Sequence, residues 1–446
     1  MSVSALNSGS TALLTDHYEL TMLQATLASG HSDRPCVFEA FARRLPEGRR
    51  YGVLAGTGRF LDALASFTFG AEEIDFLRRT QVVDDATLDY LAGYRFSGDI
   101  WGYAEGECYF PGSPLLIVES TFAEGVILET LALSIMNHDS AVAAAASRMV
   151  ATADDRPCIE MGSRRTHERS AVAAARAAYI AGFDSTSNLE AGRSFDIPTR
   201  GTAAHSFTLL HDSERQAFAS QLASLGLTTT LLVDTYDVTT AVALAVELAG
   251  PGLGGVRLDS GDLVSQAHEV REQLDSLGAT DTRIVVTSDL DEHAIAALQA
   301  APVDAYGVGT RVVTGSGHPA AGMVYKLVAR VDADGTMVGV AKTSKDKTSV
   351  GGRKYALRRR NRTGVAHEEL IGIGSAPEDD GDDRPLLVQL VRGGEVIVPT
   401  DARSAREHHA MSRAELPTKG LRLSQGDPAI RTVYQDEQSR HEVEDD

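Results

Sequence analysis

The segment RLDSGD, residues 257–262, places one basic and two acidic side chains near the predicted end of a strand. Arg257 and Asp259 are two residues apart, so in a strand both side chains point to the same side. The guanidinium group can bind a phosphate, and the carboxylate can bind a pair of hydroxyls or a metal ion. Asp262 is equally suited to capping the helix predicted to follow. The pattern therefore favours a ligand-binding role for Arg257 and Asp259.

Two further segments end predicted strands with polar residues. TSDLD, residues 287–291, offers Asp289, for which helix capping is the competing interpretation. GVGT, residues 307–310, ends in glycine and a hydroxyl, so its exposed N–H groups can hold a phosphate. A tight turn is the simpler interpretation of Gly309 and Thr310, and only a position at the end of a parallel sheet favours phosphate.

Basic side chains and one histidine complete the set of candidates. Arg164 and Arg165 follow another predicted strand and can hold a carboxylate or a phosphate, although adjacent arginines are often a solvated surface pair. His205 follows Gly201 and two alanines, which leave room for a bulky group beside the imidazole. A lone histidine is more often a satisfied core residue, so these residues alone leave the role of His205 open.

The elements that must position these residues follow an α/β pattern. Between about residues 158 and 315, short apolar runs alternate with helical patterns, and strands end near Asp234, Asp259, Asp289 and Gly309. This rhythm predicts parallel strands with ligands at their carboxyl ends. A (β/α) barrel is favoured, and a doubly wound open sheet is the alternative.

Three segments are predicted along the chain. Residues 1–125 mix short strands with loops and form an α+β lobe, and residues 126–328 contain a long bridging helix followed by the barrel. Residues 329–446 carry antiparallel strands, a basic run at 353–362, a flexible acidic loop at 375–385 and an acidic tail. The basic run is compatible with closing over a phosphate-bearing ligand and equally with a solvated strand edge.

Composition limits the classes of function. The chain of 446 residues has a net charge of -20, which disfavours broad binding to nucleic acid or to an anionic membrane. Cys36, Cys108 and Cys158 lack the spacing of a zinc site and are expected to be reduced thiols. No stretch has the pattern of a signal peptide or a spanning helix, so a cytoplasmic location is expected.

Taken together, these segments resemble the nicotinate phosphoribosyltransferases, a family of type II phosphoribosyltransferases. The resemblance covers most of residues 13–328, in family order. It is carried by LLTDHYELTM, FEAFARRLPEGRRYGVLAG, ETLALSIMNHDSAVAAAASR, EMGSRR, STSNLEAG, GTAAHSF, DTYD, GVRLDSGDL, SDLDE, GVGTRVVTG and MVYKLV. The ordered set is highly specific. It implies a small α/β lobe built from both chain ends, an irregular (β/α) barrel and a head-to-tail homodimer with shared active sites.

The resemblance also implies a reaction. Nicotinate and phosphoribosyl pyrophosphate would give nicotinate mononucleotide and pyrophosphate, the first step of NAD salvage from nicotinate, driven by hydrolysis of ATP. His205 occupies the position of the family histidine that ATP phosphorylates, which explains its small neighbours. Mg²⁺ is expected as the cofactor that holds the pyrophosphate while the sugar passes through an oxocarbenium-like state.

Residue roles follow from the same resemblance. Asp259 and Asp289 are expected to bind ribose hydroxyls or Mg²⁺. Arg257 is expected to bind a phosphate, and Gly309 with Thr310 the 5-phosphate of the sugar.

The pyridine ring would be held by a second group of residues. Tyr18 is expected to stack on the ring across the dimer interface, and Arg164 or Arg165 to bind the carboxylate. Ser187 stands where the nicotinamide enzymes carry an aspartate, and its hydroxyl can donate to a carboxylate, which favours nicotinate as the substrate. Met161 replaces a phenylalanine of many relatives and can still contact the ring through sulfur.

Several alternatives remain at this stage. A nicotinamide or a quinolinate phosphoribosyltransferase would share the fold, but the quinolinate enzymes need neither ATP nor a phosphohistidine, so GTAAHS argues against them. A barrel lyase with Lys326 as a Schiff-base lysine is a different class of enzyme. A ligand sensor without catalysis on the same scaffold is the third alternative.

Overall fold

The computed structural model describes residues 9–342 and 349–435, which divide into two compact units. One unit combines the chain up to residue 141 with the chain from residue 320, and the other is Val142–Pro319. The boundary falls within α6, Glu129–Ala153, the long alanine-rich helix that the sequence predicts. The acidic tail predicted after residue 435 lies outside the described residues.

The unit built from both chain ends contains helices and mostly antiparallel strands. Its helices are α1 His17–Ala28, α2 Thr57–Ala65, α3 Ala71–Thr80, α4 Asp85–Ala92, α5 Phe122–Val126 and α15 Ala402–Ala414, with a 3-10 turn at Thr418–Leu421. Its strands are β1 Pro35–Ala42, β2 Gly52–Val53, β3 Asp99–Tyr103, β4 Cys108–Tyr109, β5 Leu116–Thr121, β12 Met323–Val331, β13 Met337–Gly339, β14 Lys354–Arg360, β15 Ala366–Ile373, β16 Arg384–Pro385, β17 Leu387–Arg392, β18 Glu395–Val396 and β19 Arg431–Gln435.

A seven-stranded sheet with the order β13-β12-β1-β5-β3-β17-β18 forms the centre of this unit. The apolar strand β1 is buried over nearly its whole length and pairs with β5 on one side and β12 on the other. Phe38 of β1 stacks on Tyr325 of β12, with ring centroids 5.2 Å apart. Because the N-terminal strands β1, β5 and β3 lie between C-terminal strands in one sheet, neither segment can complete the core alone.

This unit is the larger of the two, whereas the sequence analysis expected a smaller lobe. The C-terminal segment adds a second, four-stranded sheet with the order β16-β14-β15-β19. Its central strands β14 and β15 carry charged residues at several positions, and the sequence patterns did not reveal these strands as a separate layer. The additional sheet accounts for the larger size.

The basic run at 353–362 neither closes over a phosphate-bearing ligand nor forms a solvated strand edge, the two arrangements considered from the sequence. Five of its six cations are paired with carboxylates of the same unit, in the ion pairs Arg353–Glu119, Lys354–Glu39, Arg358–Glu369, Arg359–Asp383 and Arg360–Glu415. Arg358 is fully buried and lies 2.9 Å from Glu369. The run therefore neutralises internal acidic groups, and the pair with Asp383 also attaches the acidic loop at 375–385 to β14.

The second unit has the alternating pattern predicted for it. Its strands are β6 Cys158–Glu160, β7 Ser185–Thr186, β8 Thr230–Leu232, β9 Gly255–Leu258, β10 Arg283–Val286 and β11 Ala305–Val308. Its helices are α7 Glu168–Ile180, α8 Leu189–Phe195, α9 His205–Leu210, α10 Glu214–Leu225, α11 Val238–Ala249, α12 Leu263–Ser276, α13 Glu292–Ala297 and α14 Thr310–Val313, with a 3-10 turn at Gly315–Gly317.

All pairings in this sheet are parallel, in the order β7-β6-β11-β10-β9-β8. The predicted α/β class with a parallel sheet is thus confirmed. The barrel is not found as a closed ring, because no strand ladder joins β7 to β8 in the part of the chain that the structure describes. Most of the chain between these strands is helical, and only a single bridge, Thr186 to Thr199, extends the row beyond β7.

A search of the described helices for one with the length and hydropathy needed to span a bilayer found none.

The pair of Lys354 and Glu39 provides a test of the two-segment unit. Both side chains are almost completely buried, with Nζ and Oε2 2.7 Å apart, and burial raises the pKa of Glu39 to about 7 even though Lys354 lowers it. Replacing Lys354 with methionine is expected to lower the free energy of unfolding by about 3–5 kcal/mol, because the carboxylate loses its buried cation. Urea denaturation followed by circular dichroism measures this change.

The double variant with Glu39→Gln is expected to regain a large part of that loss, since no buried charge is then left unpaired. Lys419→Met, at an exposed position of the same unit, serves as the control. Equal losses for the single and the double variant would contradict the assigned ion pair.

Candidate active site

A cavity of about 280 Å³ lies at the carboxyl ends of β6, β9, β10 and β11. This is the edge at which parallel sheets bind their ligands. Most of the residues selected from the sequence line it. The lining residues are Met161, Arg164, Arg165, Arg257, Asp259, Thr287, Ser288, Asp289, Gly307, Gly309 and Thr310.

Arg257 is the principal cation of the cavity. Its Nη1 donates to the Thr202 hydroxyl, whereas its Nε is buried and has no hydrogen-bond partner in the described structure. Burial lowers the pKa of Arg257, although Asp259 and Asp234 raise it. Since a buried donor without an acceptor is costly, the free Nε fits a site completed by an anionic ligand.

The carboxylates are held in defined positions. Asp259 accepts a hydrogen bond from the Thr287 hydroxyl, and its N–H donates to Oδ2 of Asp234 at 2.9 Å. The Ser260 hydroxyl also donates to Oδ2 of Asp234, at 2.8 Å. The other oxygen of Asp234, Oδ1, is buried without a partner among the described residues. Sequence reasoning assigned no role to Asp234; the signal was its place at a strand end, in DTYD.

Helix capping is assigned to other residues of the same segments. Asp262 accepts from the Ser265 N–H at the start of α12, and Asp291 accepts from the N–H groups of His293 and Ala294 at the start of α13. Asp259 and Asp289 remain at the cavity. Capping therefore belongs to Asp262 and Asp291, and the ligand-binding roles of Asp259 and Asp289 stay predictions.

His205 is the first residue of the short helix α9 and is not a core residue, since its side chain is 41% exposed. Its Nδ1 lies 3.2 Å from the Thr235 hydroxyl, and its Nε2 lies 3.8 Å from Oδ2 of Asp259. The imidazole is thus adjacent to the carboxylate that lines the cavity. A nucleophile beside an oriented carboxylate is an arrangement used for covalent catalysis.

Tight packing fixes the loops around the cavity. A Cβ atom at Gly307 would lie 2.5 Å from Cγ2 of Thr287 and 2.8 Å from Sδ of Met161, so this position requires glycine. Ser288 has a φ of 133°, a conformation that residues with a side chain rarely adopt. Strain of this kind concentrates at functional sites, and here it lies between Thr287 and Asp289.

Glu160 connects the arginine loop to the end of β7. Its side chain, almost fully buried, accepts from the Gly162 N–H and from the Thr186 hydroxyl. Burial raises the pKa of Glu160, while these two hydrogen bonds lower it. The backbone oxygen of Glu160 accepts from the Ser187 N–H at 2.8 Å. The sequence pattern did not single out Glu160, because a glutamate at the end of a predicted strand gives no sign of its buried hydrogen bonds.

Two predicted residues lie elsewhere. Ser187 is attached to Glu160 but is not among the residues that line the 280 Å³ cavity. Tyr18 lies on α1 in the other unit, where its side chain is 45% exposed and where burial, together with Glu129, raises its pKa to about 12. The expected stacking of Tyr18 involves a second subunit and stays a prediction.

Comparison with known proteins identifies the family. Residues 13–137 match the model of the nicotinate phosphoribosyltransferase N-terminal domain. The chain is 57% identical over 435 residues to the nicotinate phosphoribosyltransferase pncB1 of Mycobacterium tuberculosis, with 96% of each chain covered. The chain belongs to the nicotinate phosphoribosyltransferase family.

More distant relatives support the same family assignment. The nicotinate phosphoribosyltransferase of Bacillus subtilis is 37% identical over 388 residues, covering 84% of this chain and 79% of its own length. The crystal structure of human nicotinic acid phosphoribosyltransferase is 25% identical and superposes with a TM-score of 0.81, covering 97% of this chain and 99% of the human one. The family predicted from the ordered motifs is thereby confirmed.

Membership of the nicotinate phosphoribosyltransferase family decides between the classes considered above. The lyase alternative depended on Lys326, which lies on β12 and pairs with Glu129 at 3.4 Å. The family is one of transferases, and the cavity is lined by guanidinium and carboxylate groups of the kind that a phosphoribosyl transfer needs.

Removal of the Glu160 side chain tests how this nicotinate phosphoribosyltransferase site is held together. Glu160→Ala is expected to lower the free energy of unfolding by about 2–5 kcal/mol, because the buried Gly162 amide and Thr186 hydroxyl both lose their acceptor. Glu160→Gln keeps one acceptor oxygen and is expected to lose less. Urea denaturation measures both, with Glu168→Ala, at an exposed helix start, as the control. If Glu160→Ala lowers the free energy of unfolding no more than Glu168→Ala does, the role of Glu160 in holding the two segments together is refuted.

Proposed function

We propose that this chain transfers the phosphoribosyl group of phosphoribosyl pyrophosphate to nicotinate. The products are nicotinate mononucleotide and pyrophosphate, and one ATP is hydrolysed to ADP and phosphate in each cycle. The observation that carries the proposal is the cavity lined by Arg257, with its free Nε, and by Asp259, whose Oδ2 lies 3.8 Å from Nε2 of His205. The names and high identity of the relatives support the same reaction.

The transfer step needs both negatively and positively charged side chains. The bond from the sugar C1 to the pyrophosphate oxygen breaks, and the pyridine nitrogen donates its electron pair to C1. Positive charge develops on the sugar, where Asp259 and Asp289 stabilise it, while Arg257 binds phosphate oxygens. Gly309 and Thr310, which line the same cavity, are assigned to the 5-phosphate, as the family resemblance implies.

The donor set also fits Mg²⁺. Hard cations bind carboxylate oxygens, and Oδ1 of Asp234 is buried without a partner in the described structure. Asp234, Asp259 and Asp289 would hold the ion, which when bound would neutralise the pyrophosphate that leaves. This assignment adds Asp234 to the residues selected from the sequence.

His205 is proposed as the phosphoryl carrier. The Thr235 hydroxyl at 3.2 Å holds Nδ1, which leaves Nε2 as the nitrogen that attacks the terminal phosphorus of ATP while ADP departs. Water later cleaves the phosphorus–nitrogen bond and releases phosphate. The exposure of the side chain supports this role, since a phosphoryl donor must reach it.

Recognition of nicotinate is assigned mainly to the loop after β6, which Glu160 holds by accepting a hydrogen bond from the Gly162 N–H. Arg164 or Arg165 binds the carboxylate, Met161 contacts the ring, and the Ser187 hydroxyl donates to the acid group. Tyr18 from the partner subunit would complete the site. The homodimer, the irregular barrel and the cytoplasmic location remain predictions that follow from the family resemblance and the sequence pattern.

Replacing His205 with alanine tests the coupling to ATP. We expect the ATP-stimulated rate of nicotinate mononucleotide formation to fall by at least about tenfold and ADP release to be lost, because no nucleophile is left to accept the phosphoryl group. A slow ATP-independent reaction should persist. Product and ADP are measured together by chromatography, with and without ATP.

His211→Ala, at the end of the same short helix, is the matched control and is expected to keep ATP stimulation. Unchanged ADP release in His205→Ala would remove His205 from the coupling while leaving the transferase assignment intact. Absence of nicotinate mononucleotide in the wild type would overturn the proposed function itself.

Ser187→Asp tests the choice between nicotinate and nicotinamide. A second carboxylate near the ring repels nicotinate and accepts the amide hydrogens of nicotinamide. The ratio of kcat/KM for nicotinamide over nicotinate is expected to rise by about tenfold or more. Ser163→Asp in the neighbouring loop is the control for added charge alone. An unchanged ratio in Ser187→Asp would exclude Ser187 from substrate recognition.

A further inference from the structure

A second cavity, of about 540 Å³, lies in the unit built from both chain ends and shares no residue with the candidate active site. Its size is that of a small-molecule site. We refer to it as the Trp101 cavity, with Trp101, Tyr355, Leu387, Pro377, Asp99 and Glu119 among its lining residues. Nothing in the proposed transferase reaction makes use of it.

The cavity is built where the two sheets of this unit meet the acidic loop. Trp101 lies on β3 and Leu387 on the adjacent strand β17 of the seven-stranded sheet, whereas Tyr355 lies on β14 of the four-stranded sheet. Ala376 and Pro377 of the acidic loop form another side. The loop at 375–385, which the transferase reaction leaves without a role, thus becomes part of a binding surface.

The guanidinium group of Arg353 lies over two aromatic rings here. The guanidinium carbon of Arg353 lies 4.1 Å from the ring centroid of Tyr355 and 5.4 Å from that of Trp101. Arg353 is fixed by donating to Oε1 of Glu119 and to the backbone oxygen of Lys354, both at 2.8 Å. A prepositioned set of aromatic and guanidinium faces is suited to stacking a planar heterocycle.

The charge of the cavity selects among planar ligands. Glu119 balances Arg353, so Asp99 is the carboxylate left without a cation. Oδ1 of Asp99 accepts from the Gly393 N–H at 2.7 Å, and Oδ2 has no hydrogen-bond partner among the described residues. A free carboxylate oxygen accepts from an amino group and repels a phosphate.

We propose that the Trp101 cavity binds a purine nucleoside that carries an exocyclic amino group and no phosphate. The base stacks against Trp101 and Arg353, and its amino group donates to Oδ2 of Asp99. The ribose takes the remaining volume toward the acidic loop. This proposal does not depend on the transferase assignment.

Tryptophan fluorescence provides the test, because Trp101 is the only tryptophan in the chain. Titration of the full-length protein with adenosine is expected to change the emission in a saturable way. Inosine, which has a carbonyl in place of the amino group, and adenosine monophosphate are each expected to bind at least about fivefold more weakly. Trp101 is not among the residues that line the candidate active site, so ligand bound only there would not contact the fluorophore.

Two variants examine the residues involved. Asp99→Asn keeps an oxygen for the Gly393 N–H and is expected to weaken adenosine binding by at least about fivefold, whereas Asp89→Asn, an exposed carboxylate of α4, leaves it unchanged. Ala376→Phe fills the cavity from the exposed loop and is expected to abolish binding. Thermal unfolding of each variant verifies that the fold is kept.

The absence of a saturable fluorescence change with adenosine up to millimolar concentration overturns the proposal. Equal affinities for adenosine and inosine, or binding undiminished in Ala376→Phe, also overturn it. If Asp99→Asn does not fold, Ala376→Phe and the comparison with inosine still decide the outcome.

Discussion

The guanidinium group of Arg257 is the constraint around which the second unit is organised. It lies at the end of β9 with its Nε buried and without a partner in the described structure, and Asp259 and Asp234 lie close enough to raise its pKa. An unsatisfied donor of this kind destabilises the protein in the absence of a ligand. The parallel sheet makes the position possible, since its strand ends converge at one edge.

The two units place their buried charges in different surroundings. In the unit built from both chain ends, Lys354 and Arg358 are buried and each has a carboxylate within 3 Å, although Nε and Nη1 of Arg358 have no hydrogen-bond partner among the described residues. In the other unit, Arg257 lines the cavity, and its Nε is buried without a partner in the described structure. A buried cation paired inside the core fits a structural role, whereas one that lines a cavity can be completed by a ligand.

The sequence was informative where local pattern determines structure. Strand ends, helix caps and the long helix α6 follow from short-range rules, and the motif order identified the family. The paired basic run was beyond such rules, because Lys354 meets Glu39 across 315 positions of the chain. Closure of the barrel also depends on contacts that periodicity does not encode, and the segment after β7 is mostly helical. Glu160 became visible only through its hydrogen bonds, and Asp234, although its place at a strand end was predicted, gained a role only through the hydrogen bonds from Asp259 and Ser260.

Asp259 connects the two halves of the proposed chemistry. The Thr287 hydroxyl fixes Oδ1, and Oδ2 lies 3.8 Å from Nε2 of His205, so one carboxylate belongs to the proposed sugar site and lies beside the proposed phosphoryl carrier. A phosphoryl group on Nε2 would add negative charge beside Asp259 and draw Mg²⁺ or a cationic side chain toward the same point. The proposed phosphorylation of His205 would thereby change the electrostatics of the proposed sugar site through this carboxylate.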